Sequence, residues 1–179
     1  MKTTHMLKSV AAAAMFIGVS LSASANTTKA LGTVSAATPT VFSGYAAPGG
    51  FVDTFTFTLP ANSGSGYSVI DFAPEGMPAG WFKTVFSGIA LFSNADGIVG
   101  NNDDTWLASA VGSGDEVSLS FGSSAAGSYY LSVFGVTTGL YGGGYSGGIS
   151  VTPVPEPETF AMLLAGLGVM GAIARRRKI

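Results

Sequence analysis

The side chains with most to offer chemically lie in one short acidic stretch: Asp96, Asn101, Asn102, Asp103 and Asp104, punctuated by Gly97 and Gly100. Hard oxygen ligands on a glycine-bearing turn are a composition suited to Ca²⁺. The ligands expected are Asp96, Asn101, Asp103 and Asp104, and calcium is the one cofactor the residues point to. Their spacing fits neither the helix-loop-helix calcium loop nor the glycine-rich nonapeptide repeat. Asx side chains also bond their own backbone in ordinary turns, so a plain structural turn is the competing reading.

Catalysis has less material. Residues 26–153 contain no His, Cys or Arg, and the single histidine, His5, precedes them. Acyl-transfer triads and thiolate chemistry are therefore unavailable, leaving a carboxylate pair as general acid and base. The adjacent pairs Asp103-Asp104 and Asp115-Glu116 would point to opposite faces of an extended chain, which is wrong for a shared substrate. The expectation is a protein that is not an enzyme, with no catalytic residue assigned. Trp81, Trp106, Tyr141 and Tyr145 offer flat rings of the kind that hold sugar faces, and such rings equally serve as core. Trp81, between Gly80 and Phe82 in a Pro/Gly-rich connection, is expected to be exposed and is the candidate ligand-binding ring; Trp106, on a strand, is expected in the core.

These side chains must be positioned by strands. Runs rich in β-branched and aromatic residues are separated by Gly, Ser, Asn and Pro clusters, and within residues 26–153 no stretch holds a helical period, so helices are expected only as an N-terminal signal helix and a C-terminal helix that flank the domain. Strands are expected near residues 40–43, 51–59, 67–72, 85–92, 105–110, 116–121, 128–136 and 148–152. Eight short strands with regular turn signals predict an all-β fold, a single antiparallel β-sandwich of jelly-roll type. The glycines at 142–144 and 147–148 predict bulges, a flexible hairpin or a low-complexity linker. The clearest alternation runs from Phe51 to Leu59. Phe51, Asp53, Phe55, Phe57 and Leu59 point one way and Val52, Thr54, Thr56 and Thr58 the other, which places Asp53 on the apolar face. Burying that carboxylate requires a cation, backbone amides, or a place near the strand end where water reaches it; amide bonding at the sandwich rim is the plainer reading and metal ligation the sharper one.

Both ends of the chain read as addresses. Lys2 and Lys8 precede an apolar stretch from Val10 to Leu21, and Ala23-Ser24-Ala25 supplies the small residues of a signal peptidase site. Residues 1–25 are thus an expected signal peptide, removed to leave Asn26 first. At the other end stand Pro155-Glu156-Pro157, an apolar run from Thr159 to Ala174, then Arg175-Arg176-Arg177-Lys178. The run predicts a short transmembrane helix, about 24 Å against the ~30 Å of a hydrocarbon core, with the basic tail retained inside and the domain outside. Between the addresses, residues 26–153 form one domain with no cysteine. There Lys29 and Lys83 face Asp53, Asp71, Glu75, Asp96, Asp103, Asp104, Asp115 and Glu116, an acidic surface that repels nucleic acid.

The tripartite segment 154–179 resembles the PEP-CTERM sorting signal. The resemblance implies that Pro155, Glu156 and Pro157 are recognised by a membrane-embedded exosortase that removes the tail. Phe51-x-Asp53-x-Phe55 is similar to the motif of FxDxF-type PEP-CTERM proteins, a family without an assigned activity. A weaker resemblance covers Ala90 to Val151. Leu91 to Gly97, Asn101 to Asp104, Gly127 to Val133 and Gly143 to Tyr145 are similar to the accessory pre-peptidase C-terminal β-sandwich of secreted bacterial peptidases. Together these imply an exported protein of a Gram-negative envelope, anchored transiently in the inner membrane with its domain in the periplasm. It would then be released to the cell surface or extracellular matrix, associated with exopolysaccharide and with biofilm or floc formation. Its processing partners would be signal peptidase and exosortase. The alternative is a calcium-dependent carbohydrate-binding or adhesin module.

Overall fold

Alternation in the stretch around Phe51 sets the interior. In the computed structural model, which describes residues 26–60, 62–154 and 157–176, β3 (Gly49–Leu59) buries Phe51, Phe55, Phe57 and Leu59 to 3% exposure or less. Its threonines turn to the opposite face of the same sheet. Fully burying each such ring or leucine contributes about 2–3 kcal/mol, so this one strand is a major part of the core.

Eight further strands surround it: β1 (Thr28–Thr33), β2 (Thr40–Ala46), β4 (Ser63–Phe72), β5 (Thr84–Ser93), β6 (Thr105–Gly114), β7 (Glu116–Ser124), β8 (Gly127–Thr137) and β9 (Gly143–Pro153). They form a five-stranded sheet of order β1-β3-β8-β5-β6 and a four-stranded sheet of order β2-β9-β4-β7. From β2 onward the chain alternates between the sheets except at the β5–β6 hairpin, which is the alternation of a jelly roll. Phe42, Tyr67, Val69, Tyr145, Ile149 and Val151 face β3 across the sandwich, with Ile89, Leu91, Leu131 and Val133 beside them.

Each of the eight expected strands is present, most of them extended by a few residues at one or both ends. The ninth, β1, was not expected, and it is also the exception to antiparallel pairing. It runs parallel to β3, Thr28 opposite Thr54 and Thr33 opposite Thr58, with an irregularity between Ala30 and Gly32. The glycine-rich segment is the larger correction. Rather than a loose hairpin or linker, residues 143–153 are a regular strand paired with β2 on one side and β4 on the other. Its glycines make room for rings: a Cβ on Gly147 would lie 2.3 Å from the Phe42 ring, and one on Gly44 of β2 would strike the Tyr145 ring.

Trp106 is the second correction. It is 52% exposed rather than core. The β5–β6 register slips between Leu91 and Phe92, which sets Trp106 opposite Phe92 on an edge strand. Phe92 stacks on Tyr130 at 4.8 Å, on the solvent side of the sheet.

The chain leaves the sandwich through Val154, whose N–H donates to the Asn62 carbonyl at 3.2 Å. It then forms helix α1 (Pro157–Arg176). Proline at the first helical position costs nothing, because its missing N–H would have no helical partner. Pro157 thus opens the helix instead of extending the linker. Among the described residues no helix is long and apolar enough to cross a membrane, which corrects the expected transmembrane helix. The helix carries Glu158 in its first turn and Arg175 and Arg176 in its last, and Gly166, Gly168 and Gly171 dilute its apolar content. Its apolar side chains are nonetheless uncovered, from Ile173 at 49% to Met162 at 75% exposure.

Candidate functional site

Asp53 is entirely buried, and the partners that make this tolerable come from distant parts of the chain. Oδ1 accepts hydrogen bonds from the Thr27 N–H at 2.9 Å and the Thr27 hydroxyl at 2.6 Å. Oδ2 accepts from the Tyr145 hydroxyl at 2.5 Å. Phe51 stacks on the Tyr145 ring at 5.5 Å and Phe55 meets it edge-on at 6.3 Å, so these two phenylalanines frame the ring that supplies the third donor. Burial, with the Asp53 hydrogen bond and charge added, pushes the Tyr145 phenol far above its ordinary range and keeps it a donor. Of the expectations for Asp53, the arrangement matches hydrogen bonding, with one backbone amide and two hydroxyls, and two of the three donors come from Thr27, which is itself exposed. Thr27 also fixes the start of β1: the Thr54 N–H donates to its carbonyl at 2.8 Å, and the Val52 N–H donates to the Asn26 side-chain oxygen at 3.3 Å.

The acidic loop joins β5 to β6 and is organised by its own backbone. Asp96 accepts from the Ile98 N–H and from the Asn101 side-chain amide, both at 2.8 Å. Asp104 Oδ2 accepts from the N–H groups of Gly100 at 2.6 Å and Asn101 at 3.2 Å, and from the Tyr130 hydroxyl at 3.1 Å. Burial first, then Asp104, pushes the Tyr130 phenol upward. The Asp103 N–H donates to the Asn101 side-chain oxygen at 3.4 Å. Among the described residues no group of three or more His, Cys, Asp or Glu side chains is gathered to hold a metal ion. The side chains of Asp96, Asn101 and Asp104 are engaged in the turn itself, and Asp104 Oδ1 is buried without a hydrogen-bond partner.

Trp81 lies at the opposite connection and is 37% exposed. It meets Tyr141, 51% exposed, edge-on at 5.3 Å, with Phe82 on the other side of Tyr141 at 6.1 Å. The two loops are tied by backbone bonds from the Tyr141 N–H to the Trp81 carbonyl at 2.9 Å and from the Leu140 N–H to the Gly80 carbonyl at 3.0 Å. The Tyr45 hydroxyl donates to the Tyr141 carbonyl. Behind the rings, the Lys83 ammonium bridges Asp115 at 2.6 Å and Asp71 at 3.1 Å; these carboxylates, Asp115 foremost, raise its pKa. The Asp71 carboxylate also accepts from the Thr84 N–H at 2.7 Å. Trp81 and Tyr141 form a rigid, solvent-facing pair, whereas Tyr145 is core and Trp106 stands on the outer face of the other sheet.

On the outer face of the four-stranded sheet a shallow cavity of about 330 Å³ is walled by Gly66, Ser68, Ser118, Ser120, Gly148 and Ser150, with no carboxylate in its lining. The sequence did not point to Thr27 at all, and it offered Tyr145 as a sugar-facing or core ring but not as a partner of Asp53. They lie 26 and 92 residues from Asp53, and no local spacing connects them.

Of the sorting residues, Pro155 and Glu156 lie outside the described residues and Pro157 begins α1. Residues 153–178 match the family model of the PEP-CTERM protein-sorting motif. The chain therefore carries the C-terminal signal of an exported, exosortase-processed protein. Among solved structures it is similar to the pre-peptidase C-terminal domain of a collagenase from Bacillus anthracis, at 19% identity and a TM-score of 0.40, over 72% of this chain and 97% of that one. No curated protein matches the chain.

Proposed function

We propose that the protein is a non-enzymatic component of the cell surface or extracellular matrix of a Gram-negative bacterium, delivered by signal peptidase and exosortase and associated there with exopolysaccharide in biofilm or floc formation. The sorting motif at residues 153–178 carries the reading. A non-catalytic role is supported by the absence of His, Cys and Arg from residues 26–153. It is supported further by carboxylates that are engaged in structure: Asp53 in a sealed clasp, Asp71 and Asp115 on Lys83, Asp96 and Asp104 on turn amides. The test is co-sedimentation of the processed protein with exopolysaccharide extracted from the producing cells, with Ca²⁺ and with chelator. Saturable binding is expected; its absence in both conditions would leave a sorted protein without this role.

A second reading, a calcium-dependent carbohydrate-binding or adhesin module, is favoured by the exposed Trp81–Tyr141 pair. It requires that binding be lost on Trp81→Ala and that millimolar Ca²⁺ raise the melting temperature through the Asp96 to Asp104 loop. An unchanged melting temperature would remove calcium from the account.

A further inference from the structure

An open sheet edge presents a row of unpaired N–H and C=O groups, and proteins blunt it with charge, bulges or proline. Among the described residues the sandwich has four edge strands, β1 and β6 in one sheet and β2 and β7 in the other. Three of them are blunted. β1 holds Lys29 and an irregularity between Ala30 and Gly32, the ladder from β5 to β6 shifts register twice, and β7 opens on Glu116 and meets β4 with a shift of its own. β2 is not. Its 7 residues, TVFSGYA, include no charge and no proline, and they pair with β9 in unbroken register from Thr40 to Ala46.

Contacts with β9 show which groups of β2 point outward. The Ser146 hydroxyl donates to the Phe42 carbonyl at 3.4 Å, and a Cβ on Gly142 would strike the Ala46 carbonyl oxygen, so the Phe42 and Ala46 carbonyls lie on the β9 side. Alternation then turns the N–H and C=O groups of Val41, Ser43 and Tyr45 to the open edge. Their side chains stand on the solvent face of the sheet, Val41 76% and Tyr45 57% exposed. The strand is also complementary to itself. Two copies running antiparallel about Ser43 set Val41 of each opposite Tyr45 of the other and Ser43 opposite Ser43, so every pair falls at outward-pointing positions. Such a ladder gains about six main-chain hydrogen bonds and two pairings of a β-branched side chain with an aromatic ring, a favourable cross-strand combination. The Tyr45 ring is already fixed, its hydroxyl bonded to the Tyr141 carbonyl. Pro39 and Pro48 bound the ladder on either side.

We propose that β2 is a self-association edge, across which two copies of this chain join their four-stranded sheets into one continuous sheet. A second copy is selected over an unrelated extended peptide because the register that satisfies the outward backbone groups also covers the two exposed apolar side chains of the strand with each other. Each copy brings one such edge, so the contact is isologous and closes as a dimer. The inference goes beyond the matrix role and does not depend on it.

The chain has no cysteine, so Ser43→Cys places a lone thiol on the two-fold axis. Opposed Cα atoms there are about 5.5 Å apart, a separation a disulfide spans. Under mild oxidation of the full chain in detergent micelles, Ser43→Cys should cross-link to a dimer. Ser118→Cys, exposed on β7 at the far edge of the same sheet, should not. Light scattering corrected for detergent should give the wild type a mass that rises with concentration to twice that of the monomer. Ser43→Pro, which removes only an N–H pointing away from β9, should stay monomeric over the same range. A wild type that is monomeric throughout would overturn the proposal, as would equal cross-linking of the two cysteine variants. A dimer that persists in Ser43→Pro would also overturn it and move the association to α1 or another face. Should Ser43→Pro lose its melting transition, the cysteine pair decides alone.

Discussion

Asp53 receives three hydrogen bonds in a place water does not reach, so each donor can be removed and the deficit read separately. Thr27→Val should cost about 1–2 kcal/mol and Tyr145→Phe about 2 kcal/mol, measured by urea unfolding. Asp53→Ala, which orphans all three donors, should cost about 3 kcal/mol, and in a double-mutant cycle its effect should not add to either of the others. Additive losses would mean that the clasp is not a unit. Tyr67 gives a pH-dependent counterpart. Burial, opposed by its bond to Ser65, raises its phenol from 10.0 to about 12. A group raised on folding stabilises fully below its unfolded value, and that contribution is lost as pH climbs through the folded one. The melting temperature should therefore fall between pH 10 and 12, and less steeply in Tyr67→Phe. At this scale the sequence was half legible. Asp53 could be placed on the apolar face from alternation alone, but its partners belong to tertiary structure and had no local signature.

Among elements, β3 was legible because alternation is a local property, and β1 was not because its six residues, TKALGT, carry none. Its strand character is conferred by the ladder to β3 and by the Thr27 bonds at its start. β9 misled for the opposite reason. Glycine weakens a strand in isolation, yet here Gly147 makes room for the Phe42 ring of β2, and Gly44 of β2 makes room for the Tyr145 ring of β9. Gly147→Ala should accordingly destabilise the fold by about 2 kcal/mol despite the better intrinsic strand preference of alanine, because its methyl collides with Phe42. A thermal melt unchanged by the substitution would show that the ring has room to move. In α1, the proline that falls within the matched sorting motif is also a good first helical residue.

For the whole molecule, the C-terminal address was the most legible feature and the sandwich's partner the least, since a sorting signal is read as sequence while a binding surface is assembled from many strands. Replacing Pro155, Glu156 and Pro157 together with alanine should leave the sandwich's melting temperature unchanged and abolish tail removal. Mass spectrometry of the cell-associated protein would then show the intact C-terminus; loss of the tail despite the change would place recognition elsewhere. The tail also departs from a particular strand. β9 is not at an edge: it lies between β2 and β4, paired with β2 from Gly143 to Ile149 and with β4 from Gly144 to Pro153. A molecule held by its C-terminus in flowing water would have the drag delivered along the strand direction, to the β4 ladder first and beyond Ile149 to both ladders, where hydrogen bonds must break together and cannot peel one by one. The same residues that close the sandwich would then act as a mechanical clamp, while the far edge, β1, stays outside the line of force.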